Sequence, residues 1–149
     1  GRTQVHRCSK SIGLTQAGEA MGCGTSKPGL SYEEKLKLWR ERGGGDLERV
    51  LASGAVDLLD AQWIISHAEA GGVLSHRQAL PEEAFLSLAD LVEATGEYTG
   101  SLPVAALSYP WLTKDHPDPR GANLSRVARA LKALLSSHPY GITRLGVFW

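Results

Sequence analysis

Cysteine is nearly missing from this 149-residue chain, with Cys8 and Cys23 its two copies. A disulfide framework is therefore excluded, and a reducing compartment is the simplest setting. Missing too is any apolar run close to the roughly 20 residues that span a bilayer. The first residues lack the apolar core of a secretory signal. Net charge is zero, from 16 basic and 16 acidic side chains, so nothing at whole-chain level draws the protein toward nucleic acid. There is no HExxH or comparable ligand spacing. His67 and His76, with Glu69, Glu82 and Glu83, therefore read as solvated or capping side chains, and no metal is expected. What is present is an apolar content of 42%, ordinary for a globular core. The expected location is cytoplasmic.

The chain opens on Gly1 rather than on methionine. Residues 1–30 are rich in Gly, Ser, Thr and Lys without periodicity, and are expected to be disordered. Within them, Met21-Gly22-Cys23-Gly24-Thr25-Ser26-Lys27 matches the pattern for N-terminal myristoylation. That chemistry needs a free amino group on Gly22, so it requires translation to start at Met21. One myristoyl chain binds membranes only marginally, with an association constant of roughly 10⁴ M⁻¹, and a palmitoylated Cys23 is the second signal that stable anchoring needs. Under that condition the protein is expected at a membrane surface.

Residues 31–99 are expected to be a helical region. Ser31-Tyr32-Glu33-Glu34 is a capping-box pattern, predicting a helix to about Arg42, stopped by Gly43-Gly44-Gly45. Asp46 is the expected cap of a short second helix through Ser53. Leu58 to Ala70, with Trp63, Ile64 and Ile65, reads as one buried helix ended by Gly71-Gly72. Pro81 is expected as the first residue of another, with Phe85, Leu88, Ala89 and Val92 at helical spacing.

From residue 100 the pattern becomes α/β. Leu102–Tyr109 is a short apolar run without alternation, as expected for a strand buried on both faces. A helix from Asn123 follows, with Leu124, Val127, Ala128, Leu131 and Leu135 on its buried stripe. Leu145–Trp149 then reads as a second strand. Together these predict an incomplete parallel βαβ unit, cut off in mid-strand at Trp149. The loop 110–122 leaves the carboxyl end of the first strand, where open α/β sheets bind ligands. It gathers Trp111, Lys114, Asp115, His116, Asp118 and Arg120, and Gly121 leads into a helix N-terminus that favours anions. Two readings of the loop stay open: a phosphate held by Lys114, Arg120 and the amides near Ala122, or a rigid His-Pro-Asp-Pro turn that only fixes the chain path. Ser108, His116 and Asp118 are triad residue types, but the glycine elbow of a serine nucleophile is absent.

The run Ala105-Ala106-Leu107-Ser108-Tyr109-Pro110-Trp111 resembles the first signature of the heterokaryon-incompatibility (HET) domain, an Ala-Leu-Ser-Tyr-x-Trp-Gly motif ending an early strand. Val147-Phe148-Trp149 stands where that family's second strand begins, and Leu112 stands where the family has glycine. Ser108–Leu112 with His116-Pro117-Asp118-Pro119 is also similar to a pattern found in protist and algal proteins. The resemblance covers about a third of the chain. It implies a TIR-like α/β domain in signalling, with protein partners and with NAD or another nucleotide as cofactor or substrate. The catalytic glutamate of NAD-cleaving TIR-type domains has no counterpart here. Three functions stay open: an intracellular signalling or interaction protein with a partial HET-like domain, an enzyme acting on a nucleotide or phosphate compound through loop 110–122, and a structural fragment without activity of its own.

Overall fold

A computed structural model describes residues 29–96, 100–108, 113, 116, 118–137 and 143–149. Gly22, Cys23, Trp111 and Lys114 lie outside them, as does most of the segment expected to be disordered.

The chain folds as mixed α/β. Helices α1 (Tyr32–Glu41) and α2 (Gly44–Ala52) lead into strand β1 (Leu58–Asp60) and helix α3 (Ala61–Glu69). Two single 3₁₀ turns precede strand β2 (Phe85–Leu86) and helix α4 (Leu88–Thr95). Strand β3 (Val104–Ala106), helix α5 (Ala122–Ser137) and strand β4 (Gly146–Phe148) complete the order. The sheet runs β2-β1-β4-β3. Strand β1 is antiparallel to both β2 and β4, whereas β3 and β4 are parallel.

Local chemistry sets most boundaries. Ser31 closes a reciprocal capping box with Glu34, which satisfies two helix-end donors at once. Ser87 does the same with Asp90. Helix α3 ends in a Schellman turn: Gly72 N–H donates to the His67 carbonyl at 2.9 Å and Gly71 N–H to that of Ala68 at 3.0 Å. Gly71 takes the required positive φ of 77°.

Several expectations are corrected. Leu58–Asp60 is a strand, because the Asp60 carboxylate accepts from Gln62 N–H at 2.9 Å and starts the helix only at Ala61. An apolar run has no period that separates these two states. Pro81 precedes a single 3₁₀ turn, and Phe85 is in β2; the helix restarts at the Ser87 cap. Asp46 lies inside the first turn of α2, since that helix begins at Gly44, whose backbone rests on the buried Trp39 ring. Strand β3 is an edge strand, with Val104 and Ala105 half-buried and Ala106 exposed. The two strands expected after residue 100 are parallel to each other, but they share one mixed four-stranded sheet with β1 and β2 from before it.

Side chains alternate across this sheet. Leu59, Phe85, Ala105 and Val147 pack on one face with α3 and α5, around Ile64, Leu124, Ala128 and Leu131. Leu58, Leu86 and Val104 pack on the other with α1, α2 and α4, around Trp39, Leu91 and Val92. Gly146 faces this second layer, where an added Cβ would meet Leu91 Cδ2 at 2.9 Å and Leu58 Cδ1 at 3.0 Å. Arg42 fastens the layer by donating to the carbonyls of Thr95 at 2.8 Å and Ser101 at 3.2 Å. Arg144 pairs with Asp90, joining the approach of β4 to α4.

Two predictions follow from this packing. Gly146→Ala is expected to destabilise the protein by about 1–3 kcal/mol through overpacking, read as a lower urea midpoint; an unchanged midpoint would show that Leu58 and Leu91 can yield. The Asp90 carboxyl is held below the ordinary aspartate range by the Ser87 hydroxyl first, with the Ser87 N–H and Arg144 adding to it. A depressed folded value gives stability that is complete above the unfolded value of about 3.9 and is lost as pH falls through the folded one. Urea midpoints compared at neutral and acid pH should therefore drop less steeply for Asp90→Asn than for the native chain. Equal drops would exclude Asp90 from the acid response.

Candidate functional site

The site is a cleft of about 310 Å³ at the end of the sheet. In register, Ala106 of β3 lies beside Phe148 of β4, so Phe148 and Trp149 mark the carboxyl end of the parallel pair. Strand β1 enters beside that end from the opposite direction, with Asp57 just before it. Leu59, Leu80, Phe85 and Phe148 give the cleft apolar walls, and Ser75, His76 and His116 add polar ones. Phe148 is 46% exposed, unusual for a large apolar side chain next to a core strand.

Each wall is placed by a local device. The Schellman turn after α3 turns the chain toward Leu74–Arg77. His67 stacks on Trp63 with ring centroids 4.5 Å apart and planes 12° from parallel. Its Nε2 donates to the Val73 carbonyl at 3.2 Å, a bond that requires the hydrogen on that nitrogen. Arg77 then ties the turn to the start of β1. Its guanidinium pairs with Asp57 and donates to the carbonyls of Ala55 at 3.3 Å and Gly54 at 2.8 Å.

His116 comes from the loop between β3 and α5. Its backbone is braced by Thr113, whose hydroxyl donates to the His116 carbonyl at 2.7 Å and accepts from its N–H at 3.0 Å. Asp118 N–H donates to His116 Nδ1 at 2.8 Å. Nδ1 is thus an acceptor, and the neutral ring carries its hydrogen on Nε2. Asp118 is buried, and its Oδ2 accepts from Leu124 N–H at 2.8 Å, inside the first turn of α5. Its Oδ1 is buried without a partner among the described residues. Gly121 closes the turn with φ 67° and donates to the Asp118 carbonyl at 3.2 Å. A Cβ on Gly121 would stand 2.9 Å from the Gly72 carbonyl oxygen, so the start of α5 and the end of α3 meet backbone to backbone.

The loop residues singled out in the sequence therefore part company. His116 joins the cleft. Asp118 and the exposed Arg120 border a separate hollow of about 350 Å³ with Thr113, Pro119 and Ala122. Gly121 is a packing residue. At the α5 N-terminus, where a phosphate was expected, the Leu124 amide donates to the Asp118 carboxyl group. The hydrogen bonds do not make a triad either. A catalytic aspartate accepts from the imidazole Nδ1–H, whereas here Nδ1 accepts from a backbone amide and the carboxylate bonds Leu124. Sequence reasoning missed His76, Phe85, Phe148 and the Asp57–Arg77 pair as site residues. The one signal for them was the rule that places ligands beyond carboxyl strand ends. Among the described residues no group of acidic, histidine or cysteine side chains has the arrangement of a metal site, and no helix is long and apolar enough to cross a membrane.

Asp118→Ala is expected to cost about 1.5–3 kcal/mol, the range for a hydrogen bond to a charged group. Asp118→Asn, which keeps an oxygen for Leu124 N–H, should recover most of it in denaturant melts. Native stability of the alanine variant would show that the carboxylate does not hold the turn.

Comparisons with protein-family models, with curated proteins and with solved structures found no match to this chain.

Proposed function

We propose that this chain is the ligand-recognising part of an intracellular signalling or interaction protein, with a recognition cleft that its HET-like part closes with His116, Phe148 and Trp149 against a wall built by residues 55–85. The observation that carries the reading is the convergence of segments far apart in sequence on one cleft: Asp57, His76, Phe85, His116 and Phe148 all line it. It lies just beyond the Ala105–Ser108 segment that bears the family resemblance, at the strand ends where open sheets bind ligands. An exposed phenylalanine beside directed polar groups is the usual make-up of a small-molecule site.

The competing reading, an enzyme working on a phosphate compound through loop 110–122, draws less support. Arg120 lies on the other hollow, and the Leu124 amide at the helix N-terminus already donates to Asp118. Arg77, the arginine in the cleft, is paired with Asp57 and two carbonyls.

The test is a ligand-observed NMR screen of a small-metabolite mixture against the whole chain and against Ser75→Trp. Ser75 is exposed and lines the cleft, so the indole fills the opening without entering the core. Binding seen with the native chain is expected to weaken at least about tenfold, or roughly 1.4 kcal/mol, in the variant. Ligands that bind both proteins equally would place recognition elsewhere and defeat the proposal.

A further inference from the structure

We propose that the cleft selects a compact ring compound bearing a carbonyl or carboxylate acceptor, read by the Nε2–H of His116, and that it discriminates against phosphate esters. This inference rests on the recognition reading above and names its ligand class.

Size comes first. A cleft of about 310 Å³ is at the lower end of ligand sites, which run from about 300 to 1,000 Å³. It suits one ring or a fused pair, and leaves no space for a second half such as a dinucleotide carries. The lining supplies the shape preference. Phe85 and Phe148 bring aromatic faces and edges, and Leu59 and Leu80 bring branched apolar surface, so a flat apolar body gains most on entry.

Charge decides the next point. A phosphate ester is usually met by an arginine fork or by a run of free backbone amides. Arg77 is the arginine that lines the cleft, and each of its three guanidinium nitrogens is directed at a protein oxygen. Its charge is matched by Asp57, which lines the same cleft. A dianion entering here would meet that carboxylate without gaining a new fork. A monoanionic or neutral acceptor needs only one good donor.

His116 is that donor. The Asp118 N–H occupies Nδ1 at 2.8 Å, so the polar atom left to the ring is Nε2, which in the neutral tautomer donates and cannot accept. The His116 backbone is held by Thr113, and its ring by the N–H of Asp118, whose carboxyl group caps α5. A donor fixed in this way gives orientation at little entropic cost. His76, exposed at the rim of the cleft, adds a second imidazole beside the opening.

The probes are benzoate, benzamide, benzylammonium and phenyl phosphate, which share a ring and differ in the polar group. Each is titrated into the whole native chain by isothermal calorimetry, and into His116→Phe and Ser75→Trp. Benzoate and benzamide are expected to bind at least about tenfold more tightly than the other two, the size of one directed hydrogen bond. His116→Phe should erase that preference while leaving weak ring binding, and Ser75→Trp should weaken all four probes. If His116→Phe does not fold, the order of affinities in the native chain decides alone. Phenyl phosphate binding tightest, with sensitivity to Ser75→Trp, would overturn the ligand class and leave the cleft as the recognition site. Benzylammonium binding as tightly as benzoate would overturn it as well. Binding of no probe to the native chain, or binding indifferent to Ser75→Trp, would sink the cleft reading and this inference with it.

Discussion

The structure depends on strand β4 lying between β1 and β3. Val147 is in register with Leu59 on one side and with Ala105 on the other, and is fully buried. Without that strand the antiparallel pair β2-β1 and the single strand β3 share no hydrogen-bonded edge. Both apolar layers use it too. Val147 enters the layer under α3 and α5, and Gly146 lies flat enough to admit Leu58 and Leu91 on the opposite side. The cleft then exists because β4 ends where β1 begins. Two chain directions meet there, and the side chains beyond the last ladder positions have no strand to pack on.

Several charged groups around the cleft are committed to holding its walls. Arg77 and Asp57 hold a turn to a strand. Asp118 gives one oxygen to α5 and its amide to His116. Groups that look reactive in a sequence, Arg77, Asp57 and Asp118, are here engaged in fixing the backbone, while Ser75, His76 and His116 line the cleft.

The parts of the fold written in local chemistry were readable from residues alone. The Ser31–Glu34 box, the Gly71-Gly72 stop and the Leu124–Leu135 stripe each need a few neighbours in sequence, and each is found where expected. Strands β1 and β2 were not readable, because two or three residues carry no period and their partners lie far along the chain. Leu58-Leu59-Asp60 looks helical until Val147 and Phe85 are placed beside Leu59. The site was half legible. The loop after β3 was identified, and His116 within it, but Phe85, His76 and Phe148 become neighbours only through the sheet order. Asp118 was noticed for its charge, whereas its part is to anchor the loop, which depends on an amide six residues away.

The sheet order has a further consequence for how the chain reaches its fold. Strand β4 is the last in sequence of the four described strands, so both of its pairings span a long stretch of chain, from Leu59 to Val147 and from Ala105 to Val147. Contacts this remote in sequence are slow to form. Until β4 arrives, β1 presents an open ladder edge, with Leu58 and Leu59 unsheltered, the kind of surface that invites pairing with another chain. In the folded chain β4 covers that edge.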